Sequence, residues 1–180
     1  MKKALSQTIE IPEGIEINVT GSLVSVKGPE GENKREFNLG KIKIEKTGND
    51  LVLGHDAATK TEKKIMNTTA AHIKNMIKGV QEKFVYTLKV ASSHFPMTVK
   101  VEGNIATIKN FLGEKKDRFA KIADGVEVKV NKDIIEVIST DKELAGLVAA
   151  NFEKATRITN RDRRIFQDGI YITNKSGKEI

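Results

Sequence analysis

Eleven residues near the C-terminus hold most of this chain's excess charge. From Lys154 to Arg164 the sequence reads KATRITNRDRR, five cations (Lys154, Arg157, Arg161, Arg163, Arg164) against one acid, Asp162. The 180-residue chain has a net charge of +7, so this run supplies over half of it. Four of the five cations are arginines, and a planar guanidinium fork suits bidentate contact with phosphate oxygens better than a lysine point charge does. The chemistry on offer is capture of a polyanion. The bland alternative is a solvated helix end, but these arginines cluster instead of alternating with acids, which favours the polyanion. Behind the run, Ile165, Phe166, Ile170, Tyr171 and Ile172 interleave with polar residues. Phe166 and Tyr171 read as core aromatics rather than as platforms for unpaired bases. Lys115-Lys116 and Lys175 with Lys178 extend the candidate RNA-binding set, and Lys2-Lys3, Lys34-Arg35 and Lys63-Lys64 are ordinary surface groups.

Other chemistries find little to work with. There is no cysteine, which removes disulfides, thiol catalysis and zinc ribbons and fits a reducing compartment. His55, His72 and His94 are scattered, read as one in a loop, one on a helix and one at a junction, and lack metal-ligand spacing. No G-x-S-x-G, Walker loop or dinucleotide fingerprint occurs. Gly28-Pro29-Glu30-Gly31 falls between strands, so it reads as a hairpin turn and not as a phosphate cradle at a helix N-terminus. The start, MKKALSQTIEIPEG, has no apolar stretch long enough for a signal peptide, and nothing later could span a bilayer. The expectation is a soluble intracellular protein without enzymatic activity, cofactor, metal or small-molecule substrate.

The elements that must position the basic run come in two copies. Residues 17–37 (INVTGSLVSVKGPEGENKREF) and 99–119 (VKVEGNIATIKNFLGEKKDRF) share seven identities in 21 positions without a gap, among them Lys34/Lys116 and Phe37/Phe119. Self-similarity at a fixed offset marks a duplicated unit. In the first half the patterns predict strands near Ile15–Val19, Leu23–Val26, Lys34–Leu39, Ile42–Glu45 and Leu51–Leu53. A helix follows from Lys60 to about Lys78, opened by a capping box at Thr59 to Glu62 and closed near Gly79. In the second half they predict strands at Met97–Glu102, Ile105–Asn110, Lys115–Ala120, Val126–Val130 and Ile134–Ile138. The second helix runs from Asp141 to Ala155, opened by a box at Thr140 to Glu143. Its inward stripe is Leu144, Leu147, Val148, Asn151, Phe152, Ala155 and Ile158. The fold class is α+β: two tandem duplicated units, 1–82 and 83–180, each a small antiparallel β-sheet packed against one α-helix. Phe84–Val90 reads as a stiff strand joining the halves, and Arg157–Ile180 as a tail outside the repeat.

Val26-Lys27-Gly28-Pro29, Ser93-His94-Phe95-Pro96, the helix segment Ala71 to Val80 and the tail Arg161 to Ile172 (RDRRIFQDGIYI) resemble ribosomal protein six of the large subunit, in its archaeal and eukaryotic form. That resemblance implies a cytoplasmic protein of the ribosome that binds large-subunit (23S-type) ribosomal RNA near the stalk base and sarcin–ricin region. It implies neighbouring stalk-base ribosomal proteins as partners, translational GTPases nearby, and the principal RNA contact in the C-terminal half, carried here by Arg157, Arg161, Arg163 and Arg164. Lys74 and Lys78 stand in the N-terminal half where such a cluster would be, leaving that half freer to face proteins. Two other readings stay open: a protein-interaction module for acidic partners, and an enzyme whose site has no recognisable motif.

Overall fold

The computed structural model describes residues 3–180, so the side chains of Lys2-Lys3 lie outside the described residues. The chain divides into a first unit ending at Lys83 and a second unit from Phe84 to Ile180.

In the first unit, β1 (Lys3–Glu10) is followed by a meander of β2 (Glu16–Thr20), β3 (Leu23–Gly28) and β4 (Gly31–Glu36). Next come β5 (Lys43–Thr47), β6 (Asp50–Ala58) and α1 (Lys60–Gln81). The strands form two antiparallel three-stranded sheets, ordered β2-β3-β4 and β1-β6-β5. Strand alternation sends Ile17, Val24, Val26, Leu51 and Leu53 inward to meet Met66, Ala70, Ile73 and Val80 of α1. The capping box is present: Thr59 accepts from the Thr61 N–H, and Glu62 reaches back to the Thr59 N–H at 2.8 Å and to its hydroxyl. These bonds, Thr59's first, hold the Glu62 carboxyl down at about 2. Helix α1 does not stop at Gly79. It continues to Gln81 because Val80 is needed inside, pressed against Gly28 of β3.

In the second unit, β7 (Phe84–Ala91), β8 (Thr98–Glu102), β9 (Ile105–Lys109), β10 (Arg118–Lys121), β11 (Glu127–Asn131) and β12 (Ile134–Ser139) precede α2 (Lys142–Ala155). Two more strands follow, β13 (Gly169–Lys175) and β14 (Lys178–Glu179). The sheets are β10-β9-β8 and the five-stranded β11-β12-β7-β13-β14. Strand β7 is therefore not a spacer between the halves; it is the central strand of this sheet and the counterpart of β1. Nor is the tail free beyond the repeat, because β13 pairs antiparallel with β7, Ile170 opposite Val90 and Ile172 opposite Leu88. Two expectations about α2 are corrected. Its N-cap is Asp141, which accepts from the Glu143 N–H at 2.8 Å, while Ser139 Oγ takes the Asp141 N–H. Its buried stripe is Ala145, Val148, Ala149 and Phe152, and Leu147 is exposed.

Strand register also revises the repeat. Leu23 pairs with Glu36, and Ile105 pairs with Lys121. Leu23 and Ile105 correspond 82 positions apart, but Glu36 and Lys121 correspond 85 apart. The second copy is therefore three residues longer between β9 and β10, where a 3-10 turn spans Phe111–Gly113. Lys34 and Lys116 are not equivalent after all, nor are Phe37 and Phe119: Phe37 is buried and Phe119 is 63% exposed. The true partner of Phe37 is buried Ile122, whose N–H bonds Asn104 O as that of Phe37 bonds Ser22 O.

Candidate nucleic-acid interface

The three added residues build the floor on which the basic run rests. Asn110 and Leu112 adopt left-handed backbone (φ 59° and 50°), which turns Phe111 and Leu112 inward. They pack with Ile158, joined by Met97 and the half-buried Phe166, as a small apolar cluster separate from the main core. The segment 157–168 contains no regular helix or strand, so its shape depends on this floor and on polar clamps.

The first clamp is Arg118, which the sequence reading left out of the site. Its guanidinium lies 4.3 Å from the Phe111 ring centroid and donates to both Glu114 carboxylate oxygens (2.7 and 2.8 Å). It also donates to the carbonyls of Ala155 (2.9 Å) and Arg157 (3.2 Å). A cation there complements the negative end of α2 and fixes where the run leaves the helix. The hydrogen bonds from Arg118 hold the Glu114 carboxyl below its ordinary value against the effect of burial, helped by the charges of Arg118 and Arg161. Nothing in the sequence separates Arg118 from the lysines around it except its residue type.

The second clamp closes the far end. Asp168 is fully buried, a position almost closed to an unpaired carboxylate. It accepts from the Ser93 N–H (2.9 Å), the His94 N–H (3.1 Å) and His94 Nδ1 (3.1 Å). Burial pushes its pKa up, but the bonds from Ser93 and His94 and the His94 charge outweigh that and hold it below the ordinary value. Between the clamps, Asp162 O accepts from the N–H groups of Ile165 and Phe166, a turn that throws Arg163 and Arg164 outward. At the α2 end, buried Thr156 donates to Phe152 O and accepts from the Ile170 N–H at 2.9 Å.

The expected site residues fall into three groups. Lys154, Arg157 and Arg163 border a groove of about 360 Å³, shared with Glu153, Phe166 and Tyr171. Among the described residues none of these three cations has a carboxylate partner. Arg161 lies 4.9 Å from the Phe166 ring centroid and acts electrostatically on Glu114, after which Lys115 and Lys116 follow in an exposed loop. Arg164 is 89% exposed but engaged with Asp162 at 2.8 Å, which lowers the Asp162 pKa. Lys175 and Lys178 stand apart. They face each other across the β13–β14 hairpin, about 20 Å along the strand from Gly169. The aromatics divide: Phe166 belongs to the floor, 5.2 Å from the His94 ring, whereas Tyr171 is 44% exposed on the groove instead of in the core. His55 is in β6 rather than a loop, its Nδ1 accepting from the Ala57 N–H. Among the described residues no three His, Cys, Asp or Glu side chains are grouped to hold a metal ion, and no helix is long and apolar enough to cross a membrane.

Comparison with known proteins agrees with the duplicated fold. The family model for ribosomal protein L6 matches twice, over residues 11–83 and 95–169. The large ribosomal subunit protein uL6 of Methanobrevibacter smithii is 44% identical over 172 residues, covering 96% of this chain and 97% of the relative. Its namesake from Methanosarcina mazei is 44% identical over 176 residues, covering 98% and 100%. That from Methanococcus vannielii is 45% identical over 176 residues, covering 98% and 97%.

Proposed function

This chain belongs to the ribosomal protein L6 family, and from that premise we propose that it is a non-enzymatic constituent of the large ribosomal subunit, held to ribosomal RNA through Lys154–Arg164. The observation that carries the reading is a segment clamped at both ends, by Arg118 and by Asp168, that leaves Lys154, Arg157 and Arg163 around one groove without carboxylate partners among the described residues. Cations fixed this way contact phosphates without first paying the entropy of ordering a loop. Arg161, with Lys115 and Lys116, widens the same face, and Lys175 with Lys178 forms a second contact further along the sheet. The RNA contacted is the stalk-base and sarcin–ricin part of the large-subunit RNA, in the cytoplasmic ribosome, beside stalk-base proteins and the docking region of translational GTPases.

A salt titration tests this. Binding of the purified chain to large-subunit RNA weakens with salt by about 0.7–0.9 log units per tenfold salt increase for each phosphate neutralised. Arg157→Ala with Arg163→Ala therefore lowers the slope by about 1.4–1.8. Affinity and slope unchanged in that double variant would remove the groove from the interface. Arg161→Ala with Arg164→Ala lowers the slope less, because Asp162 already neutralises Arg164 in part.

A further inference from the structure

The duplication offers an internal comparison for a part of the first unit that RNA binding does not use. In the second unit β7 is flanked on both sides, by β12 and β13. Its counterpart β1 pairs with β6 alone, and among the described residues no strand runs along its other edge. Half of the backbone N–H and C=O groups of an eight-residue strand thus point away from the sheet. Edge strands are usually blunted by proline, charge or a bulge; β1 has a register irregularity between Lys3 and Leu5 and charges only at its two ends, which leaves Leu5–Ile9 unblunted.

Burial fixes the correspondence between the copies. Ile9 pairs with Leu51 and Leu88 with Ile135, all four buried. Buried Met66, Thr69, Ala70 and Ile73 of α1 match buried Ala145, Val148, Ala149 and Phe152 of α2. Ile9 and Leu88 lie 79 positions apart, and the helix match at the same offset keeps strand and helix in step, which puts Lys74 and Ile77 where Glu153 and Thr156 stand in the second unit. There, Glu153 accepts from the Ile172 N–H (3.1 Å) and Thr156 from the Ile170 N–H (2.9 Å), tying β13 to α2. In the first unit Lys74, Ile77 and Lys78 instead line an open groove of about 640 Å³ with Thr8, Ile9, Gln81 and the acids Glu10 and Glu82. In the middle of β1, Oε1 of Gln7 is buried without a hydrogen-bond partner, an uncommon state for a polar atom.

We propose that the free edge of β1 and this groove take an added antiparallel strand from another protein chain. The incoming segment is extended, with apolar residues at alternate positions over Ile9 and Ile77, as Ile170 and Ile172 sit in the second unit. It differs from β13 in one respect: a lysine replaces the glutamate that receives β13, so the guest supplies an Asp or Glu to meet Lys74. Main-chain pairing gives such a site its affinity and the side-chain pockets its specificity. RNA offers no matching ladder of N–H and C=O groups.

The test uses the full chain, with a photocrosslinking residue in place of exposed Thr8, assembled into large subunits. Co-sedimentation with the subunit reports on the proposed function separately. Irradiation is expected to give adducts to a single stretch of another protein that alternates apolar and polar residues and carries an acid. Lys74→Glu lowers their yield about tenfold or more, as like charges meet. Adducts only to RNA, adducts scattered over several proteins, no adduct, or a yield indifferent to Lys74→Glu would each overturn the proposal.

Discussion

Replacing Asp168 perturbs the basic run without removing a single cation. Its carboxylate is fully buried and accepts three hydrogen bonds at 2.9–3.1 Å. Bonds to a charged group contribute about 1.5–3 kcal/mol each, but three on one carboxylate are not additive. The two backbone donors can turn partly to water, so Asp168→Ala costs about 3 kcal/mol and Asp168→Asn, which keeps one acceptor, about half that. With a urea slope of about 2 kcal/mol/M, the alanine variant unfolds about 1.5 M earlier. The sign with pH follows from the depressed native pKa. The stabilisation is fully present above the unfolded-chain value of about 3.9 and is lost as pH falls through the native value. The gap between wild type and variant is thus full at about pH 5 and shrinks below pH 4. Filter binding gives the functional half of the test: a loosened segment must be ordered on binding, which lowers RNA affinity about tenfold. A gap that fails to shrink as the pH falls from about 5 through the native value refutes the electrostatic account. Lost stability with unchanged RNA affinity refutes the idea that the clamp presents the arginines.

Arg118→Lys removes the fork that spans Glu114 and two carbonyls and costs about 2 kcal/mol in urea unfolding; RNA affinity falls with an unchanged salt slope if Arg118 only positions, whereas a slope lower by about 0.7–0.9 would mean that it touches phosphate. Gly28→Ala places a methyl group 2.8 Å from Val80 Cγ2 and 2.9 Å from Val80 O, a cost of about 2–3 kcal/mol; adding Val80→Ala restores only part, because the carbonyl remains. Thr59→Ala costs about 1 kcal/mol of first-unit stability. The advantage of wild type over Glu62→Gln in acid denaturation is present above pH 4.5 and disappears as pH falls toward 2.

Local rules made much of this fold readable. The box at Thr59 to Glu62 and the hairpins at Gly21-Ser22 and Pro29-Glu30 all follow from residue types a few positions apart. What escaped was set by distant partners. KALSQTIE has little strand propensity, and only pairing with β6 makes it β1. Val80 carries α1 past Gly79 because Gly28 leaves room for it. Tyr171 stays on the surface because its N-terminal neighbour Ile170 takes the buried position. The site was legible as composition, through its arginines, and illegible as architecture. Arg118 and Asp168 act at sequence separations of 39 and 75 residues, which no motif encodes.

The ungapped repeat misled in an instructive way. It aligned Lys116 with Lys34 and Phe119 with Phe37, and so concealed the three residues that set the two copies apart. Those residues form the turn that turns Phe111 and Leu112 under Ile158 and Phe166 and gives Arg118 an aromatic face. The first unit lacks them, and it also lacks an arginine run at the end of its helix. The two absences go together physically, since a cluster of guanidinium groups on an unsupported loop would spend its binding energy on ordering itself. The second copy, then, has a floor, two clamps and a strand that covers β7. The first copy kept a bare edge and put Lys74 in the place of Glu153. The two proposals divide in the same way, with the phosphate face assigned to the second unit and the polypeptide edge to the first.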